Sequence, residues 1–149
     1  MSDNRKNTGS AEREEPNILL VDIILYLSIV LFLTSLVLPV SCCLSEGSRY
    51  YGFHAFSLAW VYLFSIKHIF LFGAWFSNFL LFTAWSRLHS GSYKSSGTFG
   101  LCGLLFALVG MFSMFVLEKD VLNGAYMWLS SFACIIFASM LALYVKRYK

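Results

Sequence analysis

At 149 residues the chain has room for one domain, and 58% of its residues are hydrophobic against 13% charged. A soluble domain carries roughly 25% charged residues. The mean hydropathy of +0.70 and several runs of about 18 or more apolar residues therefore exclude a soluble fold. The net charge of +3 does not point to nucleic acid, because the basic residues fall at the ends of the apolar runs, where membrane orientation accounts for them. The expected fold class is all-α: a polytopic membrane protein with four transmembrane helices and an additional short interfacial or re-entrant helix before the second span.

Residues 1–16 form a polar tail holding Arg5, Lys6, Arg13, Glu12, Glu14 and Glu15 among Gly, Ser, Asn and Pro. That composition predicts a solvated, disordered extension. The first span is Ile18 to Leu38, bounded by Pro16 and Pro39, since proline is tolerated in a first turn but ends a helix later on. A cleavable signal peptide has an apolar core of roughly 7–15 residues. This run is longer, so it is read as a retained anchor. Asp22 lies near the helix start, where a carboxylate faces the positive end of the helix dipole.

After the polar loop "VSCCLSEGSRYYG", the 34 residues from Phe53 to Ser86 are apolar apart from Lys67, His68 and a few small polar groups. As one straight helix they would extend about 51 Å, against a hydrocarbon core of about 30 Å. The run must break, and Lys67–His68 marks the break. Ile69 to Ser86 is long enough for one crossing. Phe53 to Ile66, at about 21 Å, is short. It is expected to lie in the outer interface or to dip in and return. The third span is Phe99 to Leu117 and the fourth Tyr126 to Tyr144. They are separated by "EKDVLNGA" and followed by the basic tail 146–149.

Charge selects the number of crossings. With four spans and both termini inside, the inner side holds Arg5, Lys6, Arg13, Arg87, Lys94, Lys146, Arg147 and Lys149, eight cations, against Arg49, Lys67 and Lys119, three, outside. With five spans the two sides are nearly equal. The positive-inside rule favours the first arrangement, which places both termini in the cytoplasm and Lys67 at the outer headgroup level, where its long side chain reaches water.

Spans three and four carry small residues at close intervals: Gly100, Gly103, Ala107 and Gly110 on one, and Ser130, Cys134, Ala138 and Ala142 on the other. Such stripes let helix backbones approach closely in lipid, so the two are expected to pack on each other. Asn78, in mid-span, should face the bundle and hydrogen-bond there, because an unpaired amide in hydrocarbon is costly. Trp60, Trp85, Trp128, Tyr126 and Tyr144 fall near span ends and are read as interfacial anchors.

No catalytic constellation is legible, and no cofactor is expected. Cys42 and Cys43 are vicinal, where disulfide geometry is strained, and lack the C-x-x-C spacing of membrane thiol oxidoreductases. Cys102 and Cys134 fall inside spans as small packing residues. His54 and His68 are separated as haem ligands on one helix face are, but the one further histidine, His89, lies in the opposite loop. No metal cluster, Ser–His–acid set or phosphate-binding glycine loop is present. A few intramembrane polar groups remain: Asp22, Lys67, His68 and Asn78.

The segments "LFLTSLVLPV", "YYGFHAFSLAWVYLFS", "FGAWFSNFLLFTAW" and "YMWLSSFACIIF" resemble a family of small uncharacterised bacterial inner-membrane proteins of four helices. The pattern is S-L-x-L-P, then G-x-x-A-x-x-x-x-W, A-W-x-x-N and Y-x-W-x-S. Its positions here are Pro39, Gly52, Ala55, Trp60, Ala74, Trp75, Asn78, Tyr126, Trp128 and Ser130. Members often carry proline after the asparagine, where Phe79 stands here. The resemblance implies the architecture, within a bacterial inner membrane, and no activity.

The expectation is thus a non-enzymatic, multi-pass protein of the plasma membrane. Its environment is the lipid bilayer, and it acts through helix contacts with another membrane protein or a toxin helix, as an immunity or accessory protein. The alternative is a small channel or transporter subunit whose polar path runs along Asp22, Lys67, His68 and Asn78.

Overall fold

The computed structural model describes residues 15–43, 49–54, 57, 69–116 and 119–147. Four long helices dominate it: α1 (Glu15–Val37), α2 (Ile69–His89), α3 (Tyr93–Val116) and α4 (Asn123–Arg147). Three short strands, β1 (Pro39–Cys43), β2 (Arg49–Tyr51) and β3 (Lys119–Val121), accompany them, and residues 52–54 and 57 are also helical. The fold is therefore predominantly helical, with a small sheet that the sequence reading took for loop.

Local chemistry sets the helix ends. Pro39 disfavours helical geometry in the residue before it, and α1 stops at Val37. At the end of α2, Gly91 adopts φ 76°, its N–H donates to the carbonyl of Leu88 and the N–H of Ser92 donates to that of Arg87. This pair of bonds is a Schellman motif, in which glycine supplies the left-handed residue that ends the helix. The chain turns at once, and α3 begins at Tyr93.

All neighbouring helices in the sequence run antiparallel. Gly110 of α3 lies against Ala74 of α2, while at the other end Ser96 donates to the carbonyl of Ala84. Gly103 lies against Phe132 of α4, and Gly100 against Ile135 and Ile136. Gly124 at the start of α4 meets the carbonyls of Leu38 and Pro39 just past the end of α1, and Ser28 of α1 bonds to Ser131. The first residue of α1, the last of α4 and the α2–α3 turn consequently share one end of the bundle. The sheet caps the other.

That sheet has strand order β2-β1-β3, antiparallel throughout. Ser41 pairs with Tyr50 and Val121, and Cys42 with Arg49 and Asp120, with an irregularity between Pro39 and Ser41 on the β2 side. Gly52 closes against α1. Its N–H donates to the carbonyl of Leu38, and an added Cβ would stand 2.2 Å from the carbonyl oxygen of Ser35, so no side chain fits there.

The core is narrow. Leu81, Ala84, Ala107, Phe132, Ile135 and Ala138 are fully buried. Outward, α1 exposes Leu19, Ile23, Tyr26, Val30, Leu33 and Val37, with comparable rows on α3 and α4. A helix bundle in water would present charged residues there. By length and composition α1, α3 and α4 can cross a membrane, and no more than 33% of their apolar windows is buried.

The small-residue stripe of α3 divides between two partners. Gly100 faces α4, Gly103 lies between Phe132 and Leu80, and Gly110 faces α2, so α3 packs in the crevice between α2 and α4 instead of on α4 alone. On α4, Ser130 is exposed, Cys134 is half-buried, and Ala138 and Ala142 are buried. Ser130 is thus corrected from packing residue to outward-facing residue. A four-residue repeat drifts about 40° per step around a helix of 3.6 residues per turn, which winds the stripe from the outside into the core.

Substitution of Gly110 by alanine would set a Cβ 2.2 Å from that of Ala74. It should destabilise the protein by about 1–3 kcal/mol. Gly73→Ala meets only an ordinary contact with Phe106 at 3.6 Å and should change stability by less than about 0.5 kcal/mol. Equilibrium unfolding in mixed micelles compares the two. Equal losses would show that α2 and α3 are not in close backbone contact.

Candidate functional site

Among the described residues the interior carries seven buried polar side chains, Ser28, Ser35, Ser77, Asn78, Ser96, Ser131 and Ser139. All are neutral. Five of them fall into three bonded groups along the bundle axis, while Ser35 and Ser77 donate to the carbonyls of Phe32 and Ala74 on their own helices.

Nearest the sheet, the indole N–H of Trp128 donates to Asn78 Oδ1 at 2.8 Å, joining α4 to α2. Midway, Ser28 is a hub. Its hydroxyl donates to the carbonyl of Ser131 at 2.7 Å and accepts from the indole N–H of Trp85 at 2.9 Å. One oxygen so ties α1 to α4 and to α2, while Ser131 donates back to the carbonyl of Trp128 at 2.6 Å. Toward the turn end, the Ser139 hydroxyl lies 2.9 Å from Ser96 Oγ and 2.8 Å from the carbonyl of Ile135, and Ser96 itself donates to the carbonyl of Ala84. Around the hub, Phe32 packs edge-on against Phe82 and Trp85, with centroids 5.3 and 5.5 Å apart.

The residues expected to carry polar function separate here. Asn78 is 7% exposed and faces the bundle. Asp22 is exposed on α1 and shares no path with it. Lys67, His68 and Trp60 lie outside the described residues, as does most of Phe53–Ile66. Cys42 and Cys43 occupy consecutive positions of β1, opposite Arg49, Asp120 and Lys119 of the neighbouring strands. Trp85 and Trp128, expected as interfacial anchors, turn their N–H groups inward, because lipid offers no acceptor while Ser28 and Asn78 do. Several threonines and serines on the outer helix faces bond locally: Thr34 donates to Val30, Thr83 to Phe79 and Ser130 to Tyr126.

Sequence reading missed the serine hubs. Ser28 and Ser35 on α1 are seven residues apart, and Ser131 and Ser139 on α4 eight apart, both near two helical turns. A repeated serine on one face of an apolar span was the available signal. Chemically the arrangement holds helices together. Hydroxyl, indole and amide groups do not titrate near neutrality, and among the described residues no three His, Cys, Asp or Glu side chains gather to hold a metal.

Charge is distributed by end. Arg87, Lys94, Lys146 and Arg147 lie at the turn end, and Arg49 and Lys119 lie in the sheet at the other, beside Asp120. Comparison with family models, with curated proteins and with solved structures returns no match.

Truncating one partner of a buried pair should cost more than removing both. Trp128→Phe and Asn78→Leu are each expected to lose about 1 kcal/mol, and the double variant less than their sum. Strict additivity in a double-mutant cycle would mean that the Trp128–Asn78 bond does not form.

Proposed function

We propose that this chain is a non-enzymatic multi-pass protein of a bacterial inner membrane, crossing it four times with both termini in the cytoplasm. It works through helix–helix contacts with another membrane component. The reading rests chiefly on one observation: the described interior is closed by neutral polar groups bonded to one another, whereas α1, α3 and α4 turn large apolar side chains outward. A bundle of that kind meets partners on its lipid-facing surface, where close packing and shape decide association. Its specific form is an immunity protein that engages the membrane helices of a pore-forming toxin, in keeping with its size and span number.

The fourth crossing is assigned to α2, whose 21 residues extend about 31 Å antiparallel to α3. The excess of cations at the turn end and in the two tails supports the cytoplasmic assignment. Residues 53–66 are assigned to the outer interface as a short interfacial or re-entrant helix.

Topology reporters test the placement. A fluorescent protein fused after Lys149 should fluoresce and alkaline phosphatase fused there should be inactive, while phosphatase fused after Val121 should be active. The reverse pattern at Lys149 alone would place Lys149 on the same side as Val121, so that α4 does not cross, and end the four-span reading. For the activity, expression in cells challenged with a pore-forming toxin encoded beside this gene should preserve membrane potential. Unprotected cells, with the protein demonstrably in the membrane, would remove the immunity reading and leave the topology standing.

A further inference from the structure

At the turn end a groove of about 650 Å³ lies between the start of α3 and the end of α4, lined among others by Ser92, Lys94, Ser95, Phe99, Leu143 and Lys146. Its volume falls within the roughly 300–1,000 Å³ range of small-ligand sites. Its lining is graded along the bundle axis. Lys94 and Lys146 stand at the rim and are exposed. Phe99 lies five residues further into α3, about 7.5 Å toward the bundle centre, and Leu143 three residues back along α4, about 4.5 Å.

We propose that this groove is a headgroup site for an anionic phospholipid of the surrounding leaflet. The proposal rests on the membrane placement given above and is independent of the toxin partner. Among the described residues no carboxylate pairs with Lys94 or Lys146, and the hydroxyls of Ser92 and Ser95 are not engaged by other groups of the chain, in contrast to the serines of the core. Two unpaired ammonium groups and two unengaged hydroxyls match the charge and acceptor oxygens of a phosphate. The first-turn amides of α3 add donors with no intrahelical acceptor. The apolar floor below matches the glycerol and the first acyl carbons. A soluble anion would leave Phe99 and Leu143 uncovered, whereas a phospholipid whose tails are already in the bilayer covers both levels at once. Basic pockets between helices on the cytoplasmic side are a recurrent form of such recognition.

The full-length protein in phosphatidylcholine nanodiscs containing a minor fraction of phosphatidylglycerol provides the test. Native mass spectrometry reads the lipid retained after ejection, following a carbonate wash that shows the chain to be membrane-integral. Wild type should retain phosphatidylglycerol in preference to phosphatidylcholine. The K94Q/K146Q variant should lose that preference about 30-fold, and K94R/K146R should keep it. R87Q, at the same end but outside the groove lining, should behave as wild type. Added inorganic phosphate should not displace the lipid. An equal loss in R87Q, no lipid preference in wild type, or displacement by phosphate would each overturn the site while leaving the membrane placement intact. A chain removed by carbonate would overturn both.

Discussion

A donor taken into the interior of this bundle is costly without an acceptor, because neither hydrocarbon nor a dry core supplies one, and the core serines and the indoles of Trp85 and Trp128 find theirs inside the chain. Serine meets that demand with the least bulk. Ser28, Ser96 and Ser139 are small enough for adjacent helices to approach and polar enough to bond across the gap. The same residues therefore set both the spacing of the helices and their register. Trp85 and Trp128 extend the scheme, filling space with their rings while their N–H groups reach Ser28 and Asn78.

Close approach is the second half of the construction. Water does not drive helices together in lipid, so association depends on packing and on these bonds. The ring of Phe132 lies over Gly103, and Ala74 over Gly110. In each case a large or methyl-bearing side chain sits where the partner has only backbone. The contacts of α3 pass from α4 at Gly100 to α2 at Gly110, so this helix joins the other two.

Much of this was legible in the chain. The apolar runs and the small-residue spacing of α3 follow from composition and helical period, while the expected break at Lys67–His68 lies outside the described residues. On α4 a repeat of four spirals around the helix and leaves Ser130 outside, so the spacing alone does not define a packing face. The sheet was invisible locally. "PVSCC", "RYY" and "KDV" have no alternation strong enough to announce strands, and their pairing depends on α1 and α4 bringing distant segments together. The inward turn of the tryptophans was hidden for a related reason: sequence shows a ring near a span end but not the acceptor across the gap.

The ladder between β1 and β3 links the residues just after the first helix to those just before the last. During synthesis β1 emerges early and has no mate on that side until β3 has been made, and α1 likewise waits for α4 to cover Ser28. The hairpin of α2 and α3, joined by a tight turn, needs no such delay. Assembly is thereby weighted toward α4, the keystone: until it is in place the hydroxyl of Ser28 has no carbonyl from Ser131 to bond and the first helix keeps an open flank.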